Sequence, residues 1–121
     1  MARSEIPIVD LVRSGVSPGS QVTADASNKH YVRGFGTGVF LEIVSTDGSD
    51  RTVAIKASPD FTADGLVVGD LTITVPAGGT VWCAPFKVAT FKQNATVDMY
   101  IDPSVSTTLK FRCARVPSVA G

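Results

Sequence analysis

Gly69-Asp70-Leu71-Thr72-Ile73-Thr74-Val75, Pro76-Ala77-Gly78-Gly79 and Thr80-Val81-Trp82-Cys83-Ala84-Pro85-Phe86 form one continuous stretch. Its flanking runs alternate apolar and polar residues, the two-residue period of a β-strand. Leu71, Ile73 and Val75 share one face, and Thr72 and Thr74 share the other. Between the runs, proline presets φ and the two glycines are free to take positive φ, as a tight reversal requires. The stretch reads as strand, turn, strand, with antiparallel pairing expected. Its second half is apolar on both sides: Val81 and Cys83 face one way, Trp82, Ala84 and Phe86 the other.

The same period recurs outward from this unit. Gly38 to Ser45 sets Val39, Leu41 and Ile43 against Phe40, Glu42 and Val44. Thr46-Asp47-Gly48-Ser49-Asp50 reads as a hairpin turn with an Asp-Gly pair. Arg51 to Ala57 places Val53 and Ile55 inward. Ser58 to Gly65 is a polar loop, and Leu66 to Val68 a short edge strand. Lys87 to Thr96 is a connection anchored by Phe91. Val97, Met99 and Ile101 point inward on the next strand, and Leu109, Phe111 and Cys113 on the last. About seven or eight short strands at this spacing predict an all-β fold, an antiparallel β-sandwich of jelly-roll or Ig-like type. No window has helical periodicity.

Residues 1–29 differ in character and read as an extended N-terminal arm with one short strand around Ile6, Ile8 and Val9; residues 30–121 form the sandwich domain. The chain has 121 residues with 11 basic and 11 acidic side chains, so no net field favours nucleic acid or a membrane surface. No stretch has transmembrane length, and no signal peptide is expected. Cys83 and Cys113 fall on apolar strand faces and read as buried thiols, with a disulfide open only if their strands are neighbours.

Candidate chemistry is sparse. His30 is the single histidine, sits beside no nucleophile motif, and reads as a surface or loop residue. Asp47-Gly48-Ser49-Asp50 bears a loose likeness to a calcium loop but lacks its further ligands. Asp60, Asp64 and Asp70 could surround a cation, but more naturally keep a connection solvated. Asn94-Ala95-Thr96 matches a glycosylation acceptor by chance. Gly34-Phe35-Gly36-Thr37-Gly38 precedes a strand, so it reads as a turn and not a phosphate loop. Asp98, Tyr100 and Asp102 would face Lys110 and Arg112 if their strands pair across Pro103. No enzyme, cofactor or metal is expected from this set.

Strands apolar on both faces need a second cover, from the N-terminal arm or from another subunit. The candidate interface residues are Ile6, Ile8, Phe40, Trp82 and Phe86.

Val39-Phe40-Leu41-Glu42-Ile43, Thr52-Val53-Ala54-Ile55, Leu71 to Gly78, Pro85-Phe86, Phe91-Lys92-Gln93 and Val97 to Ile101 together resemble the small β-sandwich head proteins of tailed bacteriophages, the capsid decoration, cement or minor head proteins. The resemblance covers roughly residues 30 to 116, and more loosely Ile6 to Leu11. Trp82 and Cys83 stand where plainer aliphatic residues are expected. It implies a structural virion protein that binds the major capsid protein on the outside of the head, assembles in the host cytoplasm, self-associates with a trimer favoured, and contacts neither nucleic acid nor membrane. Many copies on a lattice would gain by avidity. A carbohydrate-binding or adhesive module, with Trp82, Tyr31 and Tyr100 as aromatic platforms, and a neck, tail or fibre part are the alternatives.

Overall fold

The computed structural model describes residues 3–116 apart from 37, 60–61, 64–65 and 68. The chain is nearly all β. Its elements are β1 (Ser4–Glu5), β2 (Ile8–Asp10), β3 (Val22–Thr23), β4 (His30–Arg33), β5 (Val39–Ser45), β6 (Arg51–Ile55), β7 (Thr62–Ala63), β8 (Leu66–Val67), β9 (Leu71–Val75), β10 (Thr80–Cys83), a one-turn helix α1 (Val88–Phe91), β11 (Asp98–Pro103) and β12 (Leu109–Arg115). The first sheet runs β1-β4-β11-β6-β9. The second runs β10-β5-β12-β2, with β3 also on β12. One core joins them: Val32, Val53, Ile55, Val75, Met99 and Ile101 from the first sheet, Leu41, Ile43, Leu109, Phe111 and Cys113 from the second.

The alternation assigns faces correctly where it is strongest. β5 is buried at Val39, Leu41, Ile43 and Ser45 and half-buried between them. Pairing is where the structure departs from the sequence reading. β9 pairs with β6 and β10 with β5, so the two halves of the opening stretch belong to different sheets. Residues 76–79 form an arch between layers, and no hairpin joins β9 to β10. Residues 46–50 are likewise an arch from β5 to β6, and residues 104–108 an arch from β11 to β12. The physical reason is that period two reports which face is buried and carries no information about which strand lies alongside.

The arches are stitched together. The Gly78 N–H donates to the Asp47 carbonyl (3.1 Å), and the Ser45 N–H to the Gly79 carbonyl (2.8 Å). The Ala77 N–H donates to Asp50 Oδ1 (3.0 Å). Asp47 accepts from the Ser49 N–H (3.0 Å) and the Thr108 hydroxyl (2.9 Å), and pairs with Arg51 at 2.9 Å. These contacts hold its carboxyl down at about 2, the Arg51 contact being the largest cause. The four-residue segment Asp47-Gly48-Ser49-Asp50 therefore works through its carboxylates, and Gly48 is not among the residues with positive φ.

The N-terminal segment supplies three short strands where one was expected. β1 adds to β4 and β2 to β12, both parallel, so both sheets are mixed and not purely antiparallel. Ile6, between them, is fully buried. Helix α1 was not legible as a helix, because four residues are too few to display a 3.6-residue period. β8 falls where a short strand was expected at Leu66 to Val68, and it pairs with β7, which lies inside the expected polar loop, as a separate two-stranded hairpin.

Candidate interaction surface

Trp82 stands on β10, the edge of the second sheet, with 73% of its surface exposed. Cross-strand register sets it opposite Glu42 on β5, and Glu42 is in turn opposite Arg112 on β12. The three side chains meet on the outer face. The indole N–H donates to Glu42 Oε2 (3.0 Å). The Arg112 guanidinium donates to Glu42 Oε1 from Nε (2.9 Å) and Nη2 (2.7 Å). The carboxylate is thus held between two donors, and the indole is oriented by a charge-assisted hydrogen bond while its ring stays open to solvent. Phe40 lies beside it, ring centroids 6.3 Å apart and tilted by 49°.

The N-terminal segment covers part of this face. Val9, Leu11, Val16 and Pro18 form one wall of a groove of about 160 Å³, and Phe40, Glu42, Trp82, Arg112 and Ala114 line the other side. Arm and sheet therefore share the apolar outer surface, and the arm leaves Trp82 uncovered.

Of the five candidate interface residues, Phe40 and Trp82 bear on this region, Phe40 being half-buried. Ile8, also half-buried, stands opposite the buried Cys113 and packs against the core instead. Ile6 and Phe86 are corrected: they are 0% and 1% exposed within the single chain and present no surface. β10 ends at Cys83, so its alternation does not extend to Phe86, which turns inward onto Phe91 (5.8 Å, edge to face).

His30 is also corrected. It is a core residue of β4, 1% exposed. Its Nε2 accepts from the Asp25 N–H (2.9 Å), its ring meets Phe111 edge-on at 5.2 Å, and Nδ1 has no partner. Burial lowers its pKa below the ordinary histidine value. Sequence missed this because the satisfying N–H comes from Asp25, five residues earlier in the turn that leads into β4, a contact that a lone polar residue in a sequence does not announce.

The acid–base ladder expected across Pro103 does not form, because β11 and β12 lie in different sheets. Asp98 is buried and pairs with Arg33 through two bonds of 2.9 and 3.2 Å. This contact, joined by Asn94 and Thr96, lowers its pKa. Asp102 pairs with Arg3 at 2.6 Å. Tyr31 and Tyr100 sit directly opposite each other on the first sheet, each covered by a guanidinium: Arg33 at 5.1 Å and Arg3 at 3.9 Å from the ring centroids. Of the three expected aromatic platforms, Trp82 alone combines an exposed position with no cation over its ring.

The remaining candidates are structural. Asn94 Oδ1 accepts from the N–H groups of Thr96 and Asp98, forming the turn into β11. Asp70 is bound by Lys56 Nζ (2.7 Å) and the Ala57 N–H (2.8 Å), which lower its pKa, Lys56 foremost. Asp60, Asp64 and Val68 lie outside the described residues, as does Thr37 of the glycine-rich turn. Among the described residues, no three His, Cys, Asp or Glu side chains converge as metal ligands would.

The thiols are free. Cys83 and Cys113 both lie opposite Leu41, from either side of β5. Two strand spacings, about 9–10 Å, separate them, beyond the Cα separation a disulfide spans. Burial alone pushes the Cys113 thiol up to about 12.

No protein-family model, no curated protein and no solved structure matches the chain.

Proposed function

We propose that this chain is a structural protein of a tailed-phage head, a jelly-roll or Ig-like sandwich that seats on the outside of the capsid and attaches through the outer face of the β10-β5-β12 sheet. The observation that carries the reading is Trp82: among the described residues the most exposed of the large apolar side chains, on an apolar face, with its indole fixed by Glu42. Burying a tryptophan contributes strongly to binding, and one held in place loses little conformational freedom when it docks. The resemblance of the strand order and turn placement to phage head proteins supplies the partner, the major capsid protein.

The test mixes purified protein with undecorated heads and images the particles by electron microscopy. Ordered extra density is expected with the wild type and loss of it with Trp82→Ala. Heads that stay bare with the wild type overturn the reading.

A second reading is a carbohydrate-binding module. It is favoured by the Glu42–Arg112 pair beside the open indole face, since a sugar ring stacks on the aromatic face while its hydroxyls meet charged hydrogen-bonding groups. A glycan array decides it: binding that Trp82→Ala removes supports this reading, and an array without hits rejects it.

A further inference from the structure

From Leu71 to Phe86 the chain carries no charged residue over sixteen positions, although 11 basic and 11 acidic residues are spread through the rest. This run builds β9 and β10, and each is the outermost strand of its sheet. A four-residue arch joins them and β9 lies against β5, so the two open edges stand on the same side of the molecule, one per layer.

The peptide groups exposed there follow from the hydrogen-bond parity. The Ser104 N–H donates to the Thr52 carbonyl and the Lys56 N–H to the Tyr100 carbonyl. Even-numbered residues of β6 therefore turn toward β11, and odd-numbered ones toward β9. With Val53 opposite Ile73 and Ile55 opposite Leu71, the backbone groups of Thr72 and Thr74 point away from the sheet. On the other layer, the Ser45 N–H reaches Gly79 while the Thr46 N–H reaches Thr108 on the β12 side. Ile43 and Leu41 then bond Val81 and Cys83, and the backbone groups of Thr80 and Trp82 point outward.

Open donors and acceptors in this spacing select another β-strand. Edge strands are usually guarded by charge, proline or a bulge. Neither β9 nor β10 has one within its span. Around them, Leu71 is 43% exposed, and Ile73, Val81 and Cys83 are only half covered.

We propose that this wall is the interface between two copies of the chain. A single extended peptide could cap one edge. A partner covering both must bring two strands held one sheet-to-sheet distance apart, about 10 Å, and the same β9–arch–β10 unit of a second copy has that spacing. A two-fold axis perpendicular to both layers lets β9 meet β9 and β10 meet β10, each antiparallel. Ile73 and Val81 lie at the axis, Thr72 faces the partner's Thr74, and Thr80 faces the partner's Trp82. The contact is isologous and closed, so it yields a dimer where the resemblance implies trimers.

The test needs no head, so its result is separate from that of head binding. Light scattering and sedimentation of the wild type give twice 12.6 kDa. Thr72→Lys combined with Thr74→Lys places like charges opposite each other across the axis, and both threonines are exposed in the single chain. This variant is expected to self-associate at least about tenfold more weakly while its far-UV circular dichroism is unchanged. Mixing it with a Thr72→Glu, Thr74→Glu variant restores the dimer. If the lysine variant fails to fold, Thr72→Pro decides the matter, because it removes an N–H that the single chain does not use in its ladder. A monomeric or trimeric wild type, or a dimer that survives these substitutions, overturns the proposal.

Discussion

Only one of the two ring nitrogens of His30 has a partner. Because Nε2 accepts the Asp25 N–H, the ring is neutral with its proton on Nδ1, inside the core. Burial is the main cause of its lowered pKa, and the Arg3 charge adds to it. The unfolded chain binds a proton near pH 6.5 and the folded chain only at lower pH, so folding stability falls as pH drops below about 6.5. Denaturant titrations at neutral and mildly acid pH check this, and His30→Gln is expected to flatten that part of the profile. Asp47 acts in a different window. Its carboxyl titrates at about 2, so its contribution is full above the ordinary carboxylate range and is lost as pH falls toward 2. Phe111 fills the space between His30 and the core of the second sheet, fully buried. Phe111→Ala should cost about 3–5 kcal/mol in chemical denaturation, from lost transfer energy and the cavity left behind.

The elements show how much a sequence pattern can say. β5 was legible to the residue, because Val39, Leu41 and Ile43 alternate with half-covered neighbours along its whole length. Cys113 was legible as a small core residue for the same reason, whereas Cys83, on the edge strand β10, is only half covered. The partners of Trp82 were not. Glu42 and Arg112 are both outward residues in sequence, but their meeting depends on β5 lying between β10 and β12, a long-range arrangement that no local signal encodes. The arch at 76–79 was misread because Pro-Ala-Gly-Gly reverses a chain equally well within a sheet or between sheets. Its two glycines have separate duties. Gly78 has φ +64° with nothing near its missing side chain, so Gly78→Ala costs only the left-handed backbone penalty, about 1–2 kcal/mol. At Gly79 a Cβ would come within 2.7 Å of Pro76 Cγ, so Gly79→Ala must also displace the proline ring and should lower the melting temperature further. Paired thermal melts of the two variants test that order.

At the scale of the molecule, both outer faces carry ordered side-chain arrays of opposite character. The first sheet shows tyrosines covered by arginines that are themselves paired to Asp98 and Asp102. Cations and anions there answer one another, leaving little for a partner to satisfy. The second sheet leaves an indole open above a groove. Under the proposed capsid role this contrast favours the second face for attachment, and substitutions such as Tyr31→Ala should then leave head decoration intact where Trp82→Ala removes it, as counted by particle imaging.

The arches also govern how the chain reaches this form. Along β4, β5, β6, β9, β10, β11 and β12, the one step that stays within a sheet is β6 to β9, and a hairpin interrupts it. Apart from β6 and β9, chain neighbours in this series share no ladder with each other, so most short segments cannot assemble early and wait for the rest. Closure of distant loops must come before the contacts that reward it, which places folding in the slow, millisecond-to-second range of all-β topologies. A peptide of residues 69–86, despite its hairpin-like sequence, should remain a random coil in solution. Cutting the chain within an arch should leave two fragments that acquire structure only when mixed.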